Sequence, residues 1–154
     1  MTSVKDDVQA LGRQASWEKA LARILESVAA DSGTIHFLGS DGHLHLEAAI
    51  GIPAPVIETV RIVPVGKGMA GLAVQRQSPV SACNIQTDTS GDVRPGAKST
   101  GLAGSIVVPI FEGTDAVGAL GVANRQDRAF TDVETALLME LGRALGESPR
   151  APRL

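Results

Sequence analysis

Gly66-Lys67-Gly68-Met69-Ala70-Gly71 spells GxGxxG between a predicted strand and a predicted helix. In a dinucleotide fold such glycines allow a tight turn and bring a pyrophosphate close to a helix N-terminus. Asp88 stands about where the ribose-binding acid would be expected. The surroundings do not match: the motif sits mid-chain behind an antiparallel hairpin, and no alternating strand-helix series follows. The preferred reading is that the glycines shape a tight entry into a short helix, whose N-terminus is still able to receive an anion.

His36, His43 and His45 form the second candidate group. If Gly39-Ser40-Asp41-Gly42 is the loop of a hairpin, Leu38 pairs with His43, Phe37 with Leu44 and His36 with His45. Three imidazoles and Glu47 would then approach one another, a donor set suited to zinc or another transition metal. Neither a cysteine partner nor a helical HExxH pair accompanies them, so a half-exposed polar strand face is preferred and no metal is assigned. Cys83 is the one cysteine. A nucleophile needs a base and an orienting third group, and no local signature supplies them, so Cys83 is read as a structural thiol. No serine-hydrolase elbow, Walker loop or acid pair is found, and no catalytic residue is assigned. Arg94 and Lys98, in a polar stretch, are able to clamp an anion, although solvated loop charges are the default.

The elements that must position these residues follow from periodicity. Residues 3–13 form a short polar helix candidate, and Trp17, Ala20, Leu21, Ile24, Leu25 and Val28 recur at helical spacing through Ala30. A hairpin of Thr34–Leu38 and His43–Ile50 comes next. In the register above, one face carries Ile35, Phe37, Leu44, Leu46 and Ala48, and the other Thr34, His36, Leu38, His43, His45 and Glu47. Short helices are expected at 55–60 and 68–77, and short strands at 61–65 and 79–82. Residues 84–100 read as a long polar loop, of the kind that forms binding lids. A second hairpin, Ser105–Phe111 and Ala116–Ala123, turns at Glu112-Gly113-Thr114-Asp115. Thr131 and Glu134 then have the capping-box spacing at the head of a helix over 132–145 that buries Leu137, Leu138, Leu141, Ala144 and Leu145. Ser148–Leu154 reads as a loose tail.

Composition narrows the class. A chain of 154 residues is one domain by length, and helices flanking antiparallel strands make it α+β. A net charge of −3 argues against a dedicated nucleic-acid binder. No apolar run approaches the ~18 residues of a membrane span, and MTSVKDDVQALGRQ is not a signal peptide. Cytoplasmic location is the expectation, consistent with a lone cysteine.

Four segments in this order carry a family resemblance: WEKALARILESVAADSG; TIHFLGSDGHLHLEAAIGIP; VPVGKGMAGLAVQRQSPV; and SIVVPIFEGTDAVGALGVANRQDRAFTDVETALL. Together they resemble a GAF domain, the small-molecule sensor and dimerisation module of bacterial signalling proteins. The resemblance divides the chain into a helical extension (1–15), a GAF domain (16–147) and a tail (148–154). It implies a central antiparallel sheet of about six strands, with terminal helices on one face and a ligand pocket on the other, covered by short helices and a long loop. Ser105, Val107, Gly121 and Ala123 would face that pocket, Phe37 and Met69 would wall it, and Thr89, Arg94, Ser99 and Thr100 would lie in the lid.

The same resemblance separates branches of the family. Cyclic-nucleotide binders carry Asn-Lys…Phe-x-x-x-Asp-Glu, whereas Asn124-Arg125, Phe130 and Glu134-Thr135 stand here. Free methionine-R-sulfoxide reductases use cysteine thiolates that attack the sulfoxide and resolve as a disulfide. Ala70 takes the place of one such cysteine, the one before the central strand is missing, and Ser105, Gly121 and Ala123 replace acids. Bilin and haem branches lack a recognised signature here. The expected ligand is a small, mostly apolar or neutral molecule, or an anion such as nitrate if Arg94 or Lys98 folds inward; no cofactor is named. The resemblance thus implies a non-catalytic sensor, homodimeric through its terminal helices and signalling to a partner in trans. The readings held against it are an interaction domain with a filled pocket and, less favoured, an enzyme of the reductase branch.

Overall fold

The computed structural model describes residues 3–148. In chain order they form α1 (Val4–Arg13), α2 (Trp17–Val28), β1 (Ser32–Leu38), β2 (His43–Ile50), α3 (Ala54–Val60), β3 (Ile62–Pro64), α4 (Gly68–Arg76), β4 (Val80–Ala82), a 3-10 helix (Pro95–Thr100), β5 (Ser105–Glu112), β6 (Asp115–Ala123) and α5 (Asp132–Gly146). The strands make one six-stranded antiparallel sheet in the order β3-β2-β1-β6-β5-β4. This is the α+β architecture expected. Of the expected loose tail, Ser148 is buried and its hydroxyl donates to the Ala144 carbonyl, and the rest lies outside the described residues.

Side-chain alternation along the central strands sorts the molecule into layers. Ile106, Val108 and Ile110 of β5 and Leu120 and Val122 of β6 join Ile35 and Phe37 of β1 on one face. Against them pack Trp17, Leu21, Ile24 and Leu25 of α2, Val8 of α1, and Leu138, Leu141 and Leu145 of α5. Each such fully buried side chain stabilises the fold by about 1.5–3 kcal/mol, more than the ~1 kcal/mol typical of a helix cap. Packing, then, decides where these helices sit, and side-chain caps at Ser3 and Thr131 mark where α1 and α5 begin. Thr131 accepts from the Glu134 amide while the Glu134 carboxylate accepts from the Thr131 amide, the capping box that starts α5. The opposite sheet face is smaller and more polar: Ser32, Thr34 and His36 of β1, Ser105 and Val107 of β5, Gly121 and Ala123 of β6.

The first hairpin departs from its expected register by one residue. Leu38 faces Leu44, Phe37 faces His45 and His36 faces Leu46. The Gly39 amide donates to the His43 carbonyl, leaving a three-residue loop closed by Gly42 at φ +83 and by the Asp41 carboxylate accepting from the His43 amide. A left-handed residue ending a short hairpin loop is the usual form of this connection, and glycine adopts it without steric cost. A bulge at Ile35/His36 then realigns Ile35 with Ala48. The shift moves Leu44 to the face away from the long helices, where it packs with Val63, Val74 and Val107.

Close approach of α5 to β5 depends on glycine. A Cβ on Gly146 would lie 2.1 Å from the Phe111 carbonyl oxygen, and one on Gly142 3.2 Å from that of Pro109. Gly146→Ala gains up to about 1 kcal/mol of helix propensity, but the clash is with backbone, which has no free room to retreat. We expect net destabilisation of about 1–3 kcal/mol, read as a lower denaturation midpoint at unchanged m-value; equal or greater stability would refute this packing.

Candidate functional site

Between the small-residue face of the sheet and the layer of α3, α4 and the 3-10 helix lies a cavity of about 250 Å³. Its floor is Ser32, Thr34 and His36 of β1 with Ser105, Val107, Gly121 and Ala123 of the central hairpin. The cover comprises Val56, Thr59 and Val60 of α3, Lys67, Gly68, Met69 and Ala70 at the head of α4, and Arg94, Ala97 and Thr100. Ile52, Ile85 and Leu102 close the side.

Of the ten residues assigned to a ligand site from the sequence, Met69, Arg94, Thr100, Ser105, Val107, Gly121 and Ala123 line this cavity. Phe37 does not, which corrects its expected place as a pocket wall. It lies on the other sheet face, 1% exposed, with its ring edge-to-face against Trp17 at 4.9 Å. Strand alternation requires this: Thr34 and His36 point one way, Ile35 and Phe37 the other. Thr89 and Ser99 are exposed and are not among the cavity-lining residues. In a 3-10 helix, residues three apart share a face, so Arg94, Ala97 and Thr100 face inward while Lys98 and Ser99 face out. Reading 84–100 as a structureless loop concealed that spacing.

The GxGxxG stretch forms the turn from β3 into α4. Gly66 and Gly68 hold φ of +91 and +66, and a Cβ on Gly71 would sit 2.3 Å from the Pro64 carbonyl oxygen. Hydrogen bonds from Gly66 N to Gly71 O (2.9 Å) and Lys67 N to Pro64 O (3.2 Å) lock the turn. Asp88 accepts from the amide and hydroxyl of Ser90 and does not line the cavity. The glycines thus set the pitch of a helix whose first turn borders the cavity.

Residues 84–104 are fastened as a lid. Arg76 at the end of α4 makes a two-point ion pair with Asp92 (2.9 and 3.1 Å), which holds the Asp92 carboxyl below its usual range. Gln86 Nε2 donates to the carbonyls of Lys98 (3.0 Å) and Leu102 (2.8 Å). Asn84 donates to Asp127 (2.8 Å), and the Arg128 amide donates to the Cys83 carbonyl (3.0 Å). Arg128 also donates to the Ala29 carbonyl behind α2 and to Glu134 of α5, with its guanidinium over Phe130.

The three histidines are not brought together. His43 is exposed. His45 Nε2 sits 2.9 Å from Asp41, and the one-residue register shift places it on the opposite face from His36. No group of three or more His, Cys, Asp or Glu that could hold a metal is found among the described residues. Cys83 is an exposed free thiol beside the lid's root. His36, 2% exposed, lies 2.8 Å through Nε2 from the Val60 carbonyl. A carbonyl only accepts, so Nε2 carries the hydrogen and Nδ1 presents a lone pair. That Nδ1 and the Ser32 hydroxyl are the two buried side-chain polar atoms without a hydrogen-bond partner among the described residues. Both residues line the cavity. The sequence places Thr34 and His36 together on one strand face, but that face reads as half-exposed and polar rather than as the floor of a cavity.

An antiparallel sheet with helices packed on one side and a lidded cavity on the other defines a class of small α+β domain with a preformed interior site. This chain belongs to the GAF domain family, whose model (GAF_2) matches residues 14–147. Among solved structures it resembles free methionine-R-sulfoxide reductase from Neisseria meningitidis, determined with its substrate (TM-score 0.76, 19% identity, 94% of this chain and 82% of that one). It also resembles the type II reductase from Thermoplasma acidophilum (0.70, 19%, 90% and 92%). A third is the GAF domain of an Acinetobacter phosphoenolpyruvate-protein phosphotransferase (0.71, 20%, 95% and 92%). At these identities the likeness is one of fold. No curated protein matches the chain. No helix among the described residues is long and apolar enough to cross a membrane.

Burial holds the His36 pKa below its usual 6.5, outweighing the opposing effect of its bond to Val60. The unfolded chain therefore takes up this proton first as pH falls, and stability rises with pH wherever the unfolded state binds more protons. Stability conferred by neutral His36 is full above the unfolded pKa and is lost as pH falls from there toward the folded one. Denaturant unfolding at about pH 7 and about pH 5 should show the loss, and His36→Gln should flatten it. An equally steep slope in the variant would exclude His36 as its source.

Proposed function

We propose that this domain is a non-catalytic small-molecule sensor. The observation that carries the reading is the cavity of about 250 Å³, lined by residues of the sheet, two helices and the lid, with two partnerless buried polar groups in its wall. The cavity is a concave, largely apolar cleft partly open to solvent, the usual form of a small-molecule site, and buried polar groups are nearly always hydrogen-bonded. Together these features argue that a ligand completes the interior. They also disfavour an interaction domain whose own side chains fill the pocket. At about 250 Å³ the volume lies just below the ~300–1,000 Å³ range of small-molecule sites, so the ligand is a small metabolite.

Binding would act by differential affinity for two arrangements of the lid and the long helices, shifting a homodimer or partner equilibrium. α1, α2 and α5 form the proposed dimer face, with a cytoplasmic signalling partner receiving the output in trans. The division into an extension (1–15), a sensor domain (16–147) and a tail (148–154) belongs to the same proposal. Reductase chemistry is disfavoured on chemical grounds: Cys83 is the chain's only cysteine and lies outside the cavity lining, so no intrachain disulfide can resolve an oxidised thiol. Turnover of free methionine sulfoxide with a thiol reductant would overturn this part of the reading.

A thermal-shift screen against a broad panel of neutral, cationic and anionic metabolites tests the sensor. A ligand at a hundredfold excess over its Kd contributes about 2.7 kcal/mol, several degrees of Tm for a domain of this size. At least one member should produce such a shift, and Met69→Trp, which fills the cavity from α4, should abolish it. A panel without a single shift would defeat the sensor reading.

A further inference from the structure

The cavity is apolar through most of its wall yet carries charge of only one sign. Among the described residues, Lys67 and Arg94 are its formally charged lining residues, and no Asp or Glu lines it. Neither cation is ion-paired with a carboxylate among the described residues. Both stand at the head of α4. Lys67 is the N-cap position and its side chain makes no capping hydrogen bond. The Arg94 side chain lies against Gly68, its Cδ 2.8 Å from where a Cβ would be. The first amides of a helix have no acceptor within it. Those of Gly68, Met69 and Ala70 find none in the adjoining turn, whose bonds use the amides of Gly66, Lys67 and Gly71. Among the described residues, three N–H groups without a hydrogen bond, the positive end of the helix dipole and two exposed cations without a carboxylate partner therefore meet at one end of an apolar chamber.

A second observation points to a ligand in the same chamber. His36 and Ser32, 2% and 1% exposed, line it and keep Nδ1 and Oγ without partners. The polar groups of Thr100 and Ser105, by contrast, are already satisfied within the protein, by Ala97 and Leu102 and by Val122. Inward polar capacity thus remains at His36 Nδ1, an acceptor, and at the Ser32 and Thr34 hydroxyls, which mark the chamber as a site without choosing the head group, while Val56, Ile85, Leu102 and Val107 make much of the rest hydrocarbon.

The geometry points to a small aliphatic carboxylate as the ligand class, its carboxylate at the head of α4 beside Arg94 and its hydrocarbon body against the apolar wall. This deepens the sensor reading and rests on it. A neutral ligand would leave the three amides unanswered and the exposed Lys67 and Arg94 paired with solvent alone; an inorganic anion would leave the apolar wall unfilled; an amine would meet positive charge with no carboxylate to receive it. Charge-assisted hydrogen bonds from a guanidinium and helix-terminal amides are the stronger kind, and burial of the chain adds the hydrophobic term.

Isothermal titration of the full chain with isovalerate, 3-methyl-1-butanol and isopentylamine, matched in carbon skeleton and differing in head group, tests the class. Isovalerate should bind at least about tenfold more tightly than the alcohol, a difference of ~1.4 kcal/mol, and the amine should not bind. Arg94→Gln, a change at an exposed side chain, should weaken isovalerate about tenfold or more while leaving the alcohol unchanged. Added salt should weaken isovalerate alone. Alcohol or amine binding as tight as that of isovalerate, or undiminished isovalerate affinity in Arg94→Gln, would overturn the carboxylate assignment and leave the sensor standing. Failure of all three probes would also overturn the assignment, while the sensor reading would be decided separately by the wider panel.

Discussion

Strands β5 and β6 pair beside the middle of the sheet and must fill space on both faces with unequal side chains. Toward the long helices they present Ile106, Val108, Ile110, Leu120 and Val122, which leave no room. Toward the lid, near the ends of both strands, they present Ser105, Val107, Gly121 and Ala123. Because side chains alternate with period two, one register fixes both faces together. The helix layer is dense and the lid layer holds a cavity for the same reason. The difference in bulk written along one hairpin gives the domain its interior space. Gly142 and Gly146 sharpen the contrast by letting α5 sit close on the crowded side.

Much of this was legible in the sequence because it rests on local rules. Trp17, Leu21, Ile24 and Leu25 recur at helical spacing, Thr131 and Glu134 form a capping box, and Gly113-Thr114 closes the central hairpin between Glu112 and Asp115. The lid's inward residues were harder, since the three-residue period of a short 3-10 helix is indistinguishable from loop composition until Arg94, Ala97 and Thr100 are seen to align. The first hairpin failed for a different reason. Its loop closes through Gly42 in the left-handed region and its second strand carries a bulge, two one-residue events that periodicity cannot count. Phe37 was misplaced by analogy with the family pattern, although alternation with Thr34 and His36 already set it on the other face.

The candidate site mixes features that stability alone would not select. His36 is kept neutral by burial, and Ser32, on the same face of β1, is buried without a side-chain hydrogen-bond partner among the described residues. Each unpaired polar group of this kind costs roughly 1–3 kcal/mol, a large share of the 5–15 kcal/mol by which domains are stable. Local rules that hold elsewhere in the chain are broken around one cavity, which is where departures from sequence consistency are expected to gather. The glycine turn before α4 belongs to the same pattern. It takes two positive-φ residues and one backbone contact too close for a Cβ to bring a helix terminus to the cavity's edge.

Arg128 stands outside the cavity, yet its bonds reach three parts of the molecule. Its amide holds the Cys83 carbonyl where the lid begins, and its guanidinium reaches the Ala29 carbonyl behind α2 and the Glu134 carboxylate at the head of α5. Mechanically this residue is a shared fulcrum. If the lid of the proposed sensor swings at its root, it would pull on the same few atoms that set where two of the long helices end and begin. Such a sensor would need no wire of side chains through its core, because its cover and its helical back meet at one residue.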